Sequence, residues 1–182
     1  YLAARSFALS EKMGHTHILT GCNACYTTLK KSARFLKKEQ QLNDANQHLS
    51  DEGLALTEEI TVQHVMDIIF EKTSPEVWDA GRSNALHEIN IACYYGCQYT
   101  RPWITGPESD RPQYMEKFIS ALGFNAINHS AKTICCGAAG AMPNAEIATT
   151  LVGRITDTVI SHNADAIITI CPLCQFNVDS YQ

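Results

Sequence analysis

The sequence from residue 166 to residue 174 reads Ala-Ile-Ile-Thr-Ile-Cys-Pro-Leu-Cys. Its apolar first half is typical of a strand that is buried on both faces, as strands of parallel sheets are. Two cysteines follow, and Pro172 between them favours the first turn of a helix. The stretch therefore predicts a strand, a cysteine-bearing turn and a helix, in that order.

Three other segments repeat this order. Strands are predicted at about 16–20, 88–93 and 126–134, and helices at about 22–38, 113–122 and 144–162. The alternation predicts an α/β fold with a mainly parallel sheet flanked by helices. Cysteine motifs follow the carboxyl ends of these strands, which share one edge of a parallel sheet and are where ligand sites form. These motifs are Cys22 with Cys25, Cys93 with Cys97, Cys135 with Cys136, and Cys171 with Cys174.

Further patterns complete the predicted framework. Residues 42–69 are predicted as helix, loop and helix, because apolar side chains recur at helical spacing: Val62, Val65, Met66 and Ile69. Residues 74–83 are predicted as a loop. Asp110 is predicted to cap the helix at 113–122, and Gly123 to end it. The helix at 144–162 is predicted to bury one stripe, made of Ile147, Leu151, Ile155 and Val159.

Composition narrows the function classes. The formal net charge of -5 argues against nucleic acid as a partner, since phosphate binding requires a basic surface. The apolar stretches fall well short of the roughly 20 residues that span a bilayer, and no signal peptide is apparent. We therefore expect a cytoplasmic protein without a membrane span. Because the chain starts at Tyr1 and stops at Gln182 inside a predicted helix, we expect a fragment truncated at both ends.

The 8 cysteines indicate metal chemistry, because C-x-x-C pairs and a vicinal pair are unusual for structural disulfides. Five thiols form the main candidate set: Cys97, Cys135, Cys136, Cys171 and Cys174. They exceed the four ligands of a zinc ion, whereas a polynuclear iron–sulfur centre accommodates them. Two alternatives stay open: a zinc-binding structural or interaction module, and a metal-free C-x-x-C dithiol oxidoreductase. Cys93, inside a predicted strand, is expected to pack in the core.

These residues also resemble a known family. Cys97, Cys135-Cys136-Gly137 and Cys171-Pro172-Leu173-Cys174 are similar to the CCG cysteine-rich motif of the heterodisulfide reductase B subunit, which occurs twice in family members. The stretch Gly21-Cys22-Asn23-Ala24-Cys25-Tyr26 resembles the closing C-x-x-C of a first motif. The resemblance divides the chain into 1–84, the remainder of a first CCG domain with its helical connection, and 85–182, a second CCG domain truncated at its C-terminus.

The resemblance implies a redox subunit that carries out disulfide/thiol chemistry or electron transfer. It implies a noncubane [4Fe–4S] cluster on Cys97, Cys135, Cys136, Cys171 and Cys174, which act catalytically through the cluster, and an incomplete first metal site at Cys22 and Cys25. The implied partners are the ferredoxin-like C subunit, the flavin-bearing A subunit, and a small disulfide or thiol substrate, with membrane association only through partner subunits. An isolated fragment is expected to be inactive, and aerobic purification to strip the cluster. Arg101 and Lys132 are expected to offset the cluster's negative charge.

Overall fold

The computed structural model describes residues 1–80, 88–103, 107–140 and 144–182. The chain forms two compact units, Tyr1–Asp67 and Ile68–Gln182. The predicted domain boundary, between residues 84 and 85, lies outside the described residues. Each unit is mixed α/β with parallel strand pairing, so the predicted fold class is confirmed.

The first unit surrounds a two-stranded parallel sheet. Its helices are α1 (Leu2–Lys12), α2 (Asn23–Leu36) and α3 (Glu39–Leu49), its strands are β1 (His17–Thr20) and β2 (Thr61–His64), and α4 (Val65–Lys72) begins at its end. Ile18 pairs with Val62 across the sheet. The core contains fully buried side chains from α1 and α3, namely Phe7 and Leu49.

The strand β2 corrects the prediction of a helix at this position. Val62 and His64 are both buried while Thr61 is exposed, which is the two-residue period of a strand with one face in the core. Helical geometry begins only at Val65. Helix α1 was not among the predicted elements.

The second unit surrounds a three-stranded parallel sheet of order β4-β3-β5. The strands are β3 (Asn90–Tyr94), β4 (Asn125–Ile127) and β5 (Ala166–Thr169); the helices are α5 (Pro75–Ala80), α6 (Cys97–Thr100), α7 (Tyr114–Ala121), α8 (Ala145–Ser161) and α9 (Pro172–Tyr181). Tyr94 pairs with Thr169, so β3 and β5 end at the same level of the sheet. Their carboxyl ends lead directly into the cysteine-bearing turns.

Several local predictions in this unit were wrong. The third strand stops at Ile127 rather than at residue 134, and the described part of the predicted loop at 74–83 contains α5. Asp110 does not cap α7; its carboxylate accepts from Arg101 Nε at 3.2 Å. Gly123 does end α7, with a left-handed φ of 96°.

Helix α8 confirms the predicted stripe in its second half, where Ile155 and Val159 are buried. In its first half Ile147 is 49% exposed, and the helix buries Ala148 and Val152 instead of Ile147 and Leu151. Its buried residues are Ala148, Val152, Ile155 and Val159. Among the described residues, no helix combines the length and the apolar character that crossing a bilayer requires.

Candidate functional site

The turn between β5 and α9 places two buried thiols at a helix start. Cys171 is the N-cap residue of α9, in an extended conformation with φ −133° and ψ 117°. Pro172 occupies the first turn, as predicted, and Gln175 N donates to Cys171 O at 2.9 Å. Cys174 lies in the same first turn and is also buried. The helix N-terminus favours negative charge on both sulfurs.

The vicinal cysteines lie in the loop that connects β4 to α8. Gly137, which follows them, adopts a φ of 81°, a conformation that L side chains rarely adopt. A Cβ atom at this position would lie 3.1 Å from Ala148 Cα, so the loop also approaches α8 too closely for a side chain. On the other side, Asn177 Nδ2 of α9 donates to Cys136 O at 2.9 Å. The loop is therefore held between α8 and α9, and a side chain at the position after the two cysteines would be strained.

Cys97 follows β3 and is fastened to the same loop. The amides of Tyr95 and Gly96 both donate to Lys132 O, at 2.9 and 3.1 Å. The Tyr94 hydroxyl donates to Ile134 O at 2.6 Å. The end of β3 is thus hydrogen-bonded to the segment just before the vicinal cysteines. This bonding explains why β4 ends early, since the backbone groups of residues 132 and 134 bond to side chains and loop amides rather than to a strand.

The five predicted thiols form one connected group. Cys136 Sγ and Cys174 Sγ share a hydrogen bond at 3.5 Å, and Cys174 is also hydrogen-bonded to Cys171. Cys97 is hydrogen-bonded to Cys135, whose Sγ also accepts from Gly137 N at 3.3 Å. Charge interactions link the two subgroups, because negative charge on Cys136 raises the pKa of Cys97 and negative charge on Cys135 raises the pKa of Cys136. Three sequence-distant segments therefore bring their sulfurs together.

The pKa values of two of these thiols are lowered. The hydrogen bond from Cys97, together with Gly137 N–H and the positive charge of Arg101, lowers the pKa of Cys135 to about 6. The hydrogen bond from Cys174 lowers the pKa of Cys136. The donors change in the opposite direction: bonding to Cys135 raises the pKa of Cys97, and bonding to Cys136 and Cys171 raises that of Cys174. Thiolate sulfur is the form that ligates metals.

The two expected cations differ in what they contact. Arg101 acts on Cys135 electrostatically while it pairs with Asp110. Lys132 is buried and forms an ion pair with Glu116, at 2.6 Å between Nζ and Oε1. Arg101 therefore fits the expected role beside the thiols, whereas the charge of Lys132 is directed to a carboxylate on α7.

The remaining cysteines lie in other surroundings. Cys93 is fully buried inside β3, and burial raises the pKa of its thiol to about 12, which fits the expected core packing. Cys22 is the N-cap residue of α2 with φ −130° and ψ 123°, and Cys25 lies in the first turn of that helix. Cys22 is half-buried and Cys25 exposed. The first unit contains these two cysteines and no others.

No group of three His, Cys, Asp or Glu side chains in the described part of the chain is arranged to hold a metal ion. Sequence reasoning did not identify Glu116 or Asn177, which contact the segments that carry the thiols. Asn177 offered a weak signal, because it follows Cys174 by three residues and so shares its buried side of α9.

Comparison with known proteins finds one matching domain family and several similar proteins. Residues 91–179 match the model of the CCG cysteine-rich domain. The B subunit of the Methanosarcina acetivorans ferredoxin/F(420)H(2)-dependent CoB-CoM heterodisulfide reductase is 28% identical across 100% of this chain and 61% of its own length. The B subunit of the Methanosarcina mazei ferredoxin:CoB-CoM heterodisulfide reductase is 25% identical over the same shares. The Wolinella succinogenes 8-methylmenaquinol:fumarate reductase membrane anchor subunit is 28% identical over 98% of this chain and 62% of that protein. The chain thus spans about three fifths of the length of these relatives.

Proposed function

We propose that this chain is an iron–sulfur redox subunit of a multi-subunit oxidoreductase. Two findings support the proposal: residues 91–179 match the CCG cysteine-rich domain, and the whole chain is homologous to the B subunit of heterodisulfide reductases. The observation that carries the proposal is the single connected group formed by five thiols from three segments. The predicted resemblance on which the proposal builds is confirmed by the relatives.

The donor set suits a polynuclear centre by the number and type of its ligands, although no three of these side chains surround one ion position in the described part of the chain. Thiolates are soft ligands that select iron–sulfur clusters, zinc or copper(I). A single tetrahedral zinc uses four ligands, whereas this group offers a fifth. The side chains of Cys135 and Cys136 are adjacent in sequence yet bond to different neighbours, Cys97 and Cys174. Separate metal atoms of one cluster would suit such diverging ligands, and we propose Cys97, Cys135, Cys136, Cys171 and Cys174 as the set.

We assign the cofactor as a noncubane [4Fe–4S] cluster, the type that the family resemblance implies. When bound, such a cluster supplies iron sites that exchange electrons and can bind the sulfur of a substrate thiolate. The chain's own residues determine access to it. Cys136, Cys171 and Cys174 are buried, so they exclude water, whereas Cys97 and Cys135 are half-buried and lie on the accessible side of the group.

The proposed reaction is the interconversion of a small disulfide and its two thiols. Cleavage of the disulfide bond consumes two electrons and releases two thiolates, and formation of the bond returns them. We propose that two partner subunits, one ferredoxin-like and one flavin-bearing, exchange these electrons with the chain. A cytoplasmic location, with membrane contact only through partner subunits, accords with this assembly; one relative is named a membrane anchor subunit.

The first unit would contribute to a second centre. Cys22 and Cys25 form a helix-start pair of the same kind as Cys171 and Cys174, and we propose them as the closing ligands of a first CCG motif. Two thiols are too few for a cluster, so this site would require further cysteines from outside these 182 residues.

The test is metal and acid-labile sulfide analysis of the anaerobically purified chain. We expect iron and sulfide in similar amounts, loss of both in Cys136→Ala, and retention of both in the core control Cys93→Ala. Full iron content in Cys136→Ala would remove the ligand assignment. Iron loss in Cys93→Ala would show that Cys93, rather than Cys97, is the first ligand of the set.

The same analysis separates the alternatives. A metal-free C-x-x-C dithiol oxidoreductase has one observation in its favour, the hydrogen bond between the side chains of Cys171 and Cys174. Anaerobic protein with neither iron nor zinc, but with a thiol pair that oxidises reversibly, would support that alternative. Zinc without sulfide would indicate the structural zinc module instead.

A further inference from the structure

A partly buried carboxylate on α7, that of Glu116, contacts both of the segments that carry Cys97 and Cys135. The Tyr95 hydroxyl donates to Glu116 Oε2 at 2.6 Å, and Lys132 Nζ lies 2.6 Å from Glu116 Oε1. Tyr95 precedes Cys97 by two residues, and Lys132 precedes Cys135 by three. One carboxylate therefore accepts a hydrogen bond from Tyr95 and forms an ion pair with Lys132, which lie two and three residues before the two thiols.

The backbone completes this link. The carbonyl of Lys132 accepts from the amides of Tyr95 and Gly96, so the same two segments are also joined to each other. The Tyr95 hydroxyl accepts from Met115 N at 2.6 Å, and Lys132 Nζ donates to Pro112 O at 3.3 Å. Most of the network is inside the unit, since Tyr95 and Lys132 are both buried and the Glu116 side chain is 14% exposed.

The ion pair between Glu116 and Lys132 is not expected to contribute much to the stability of the fold. Burying an ion pair carries a desolvation cost that can exceed the attraction between the charges, and apolar replacements of similar volume are often as stable. Directional bonds do something that apolar contacts cannot, because they fix the register of two loops against each other. We propose that Glu116 is a positioning residue that sets the spacing between the thiols of Cys97 and Cys135.

The remaining thiols have a separate support. Cys136 is held by Asn177 of α9, and its partners Cys171 and Cys174 belong to the turn that opens the same helix. The bonds of Glu116 to Tyr95 and Lys132 lie outside α9 and its opening turn. The pair Cys136–Cys174 therefore serves as an internal reference for the pair Cys97–Cys135.

The test measures disulfide formation in the metal-free chain. Diamide takes two electrons and two protons from a thiol pair and leaves a disulfide, and peptide mass spectrometry identifies which cysteines have joined. We expect Glu116→Gln to lower the rate of Cys97–Cys135 bond formation, relative to Cys136–Cys174 in the same sample, by about tenfold. This factor is what loss of one charge-assisted hydrogen bond produces.

The matched control is Glu108→Gln. Glu108 also accepts from a tyrosine hydroxyl, that of Tyr114 at 2.7 Å, but on the surface. We expect its ratio of rates to equal that of the unchanged chain. An unchanged ratio in folded Glu116→Gln, or an equal fall in Glu108→Gln, would overturn the proposal.

A second variant covers the case in which Glu116→Gln does not fold, since that change leaves Lys132 buried without its counterion. Tyr95→Phe removes the hydrogen bond to Glu116, leaves its ion pair with Lys132 in place and introduces no charge. We expect its ratio of rates to fall by about threefold to tenfold, in line with one hydrogen bond, while circular dichroism and the melting temperature report a folded chain. A folded Tyr95→Phe chain with an unchanged ratio would overturn the proposal.

This inference deepens the proposed function, on which it rests, because thiol spacing determines which centre the group can hold. The two can still fail separately. A fall in the ratio without iron or sulfide in the anaerobic chain would retain the positioning role and remove the cluster. Iron and sulfide in the anaerobic chain, together with an unchanged ratio of rates in the variants, would retain the cluster and remove the positioning role.

Discussion

The two C-x-x-C turns have nearly the same backbone but very different sulfur environments. The N-cap residues Cys22 and Cys171 differ by only a few degrees in φ and ψ, and each begins a helix after a parallel strand. Cys171 and Cys174 are buried and bonded within the five-thiol group. Cys25, by contrast, is exposed.

The difference shows that this turn is a local device and that a site requires other segments. A strand, an extended N-cap residue and a helix suffice to present two sulfurs. In the second unit, the two sulfurs of the turn join a larger group because the loop that carries Cys135 and Cys136 lies beside them. Gly137 and Asn177 hold this loop in place. Residues 1–67, which form the first unit, include no vicinal cysteine pair of this kind.

The largest expected effect separates the two turns by their metal content. Cys174→Ala removes a sulfur from the five-thiol group, so we expect iron and sulfide to fall to background. Cys25→Ala leaves that group untouched, and we expect its iron and sulfide to equal those of the unchanged chain. Equal loss in both variants would mean that the first turn, too, holds metal in this chain.

A second contrast concerns the glycine after the vicinal pair. Gly137→Ala forces a side chain into a left-handed backbone position against α8, and we expect it to destabilise the second unit by about 2–4 kcal/mol. Urea unfolding followed by far-ultraviolet circular dichroism measures this, because helices of both units contribute to that signal and the control below lies in the first unit.

The matched control is Gly21→Ala beside the first turn. A Cβ there would meet Val65 at 3.9 Å, an ordinary contact, and the second turn carries Ile170 at the corresponding position. We expect the control to change stability by less than about 1 kcal/mol. Similar effects at both glycines would contradict the close approach to α8.

The smallest effect concerns the bond between α9 and the vicinal loop. Asn177→Ala leaves the carbonyl of Cys136 without its amide donor, so we expect a loss of about 1–3 kcal/mol in the free energy of unfolding. Gln175→Ala, on the exposed side of the same helix, is expected to stay within about 0.5 kcal/mol. A loss for Asn177→Ala no greater than for Gln175→Ala would show that this bond does not hold the loop.

Local signals predicted much of this fold. The strand–cysteine–helix units at Cys22 and Cys171 follow from apolar runs and from helix starts such as Pro172, which depend on neighbouring residues alone. The grouping of thiols followed from one non-local rule, that parallel strands end at a shared edge. Both the local patterns and the order of strands and helices can be recognised from the sequence alone.

Errors arose where non-local contacts decide the backbone. Val62 fits helical spacing with Val65, yet pairing with Ile18 makes it part of a strand. The strand predicted to reach residue 134 ends early, because the carbonyl of Lys132 receives amides from the end of β3. In the first half of α8, Ala148 is buried rather than the predicted Ile147, because Gly137 lies directly against Ala148. The network around Glu116 has no local signature and could not have been foreseen.

The most direct test of the five-thiol site is iron K-edge X-ray absorption on the chain after anaerobic purification. If sulfurs from three segments share a single polynuclear centre, the spectrum will contain an iron–iron scattering shell in addition to the sulfur shell. The iron–iron shell should vanish in Cys136→Ala and persist in Cys93→Ala. Iron with a sulfur shell alone, as in a mononuclear site, would contradict the shared centre.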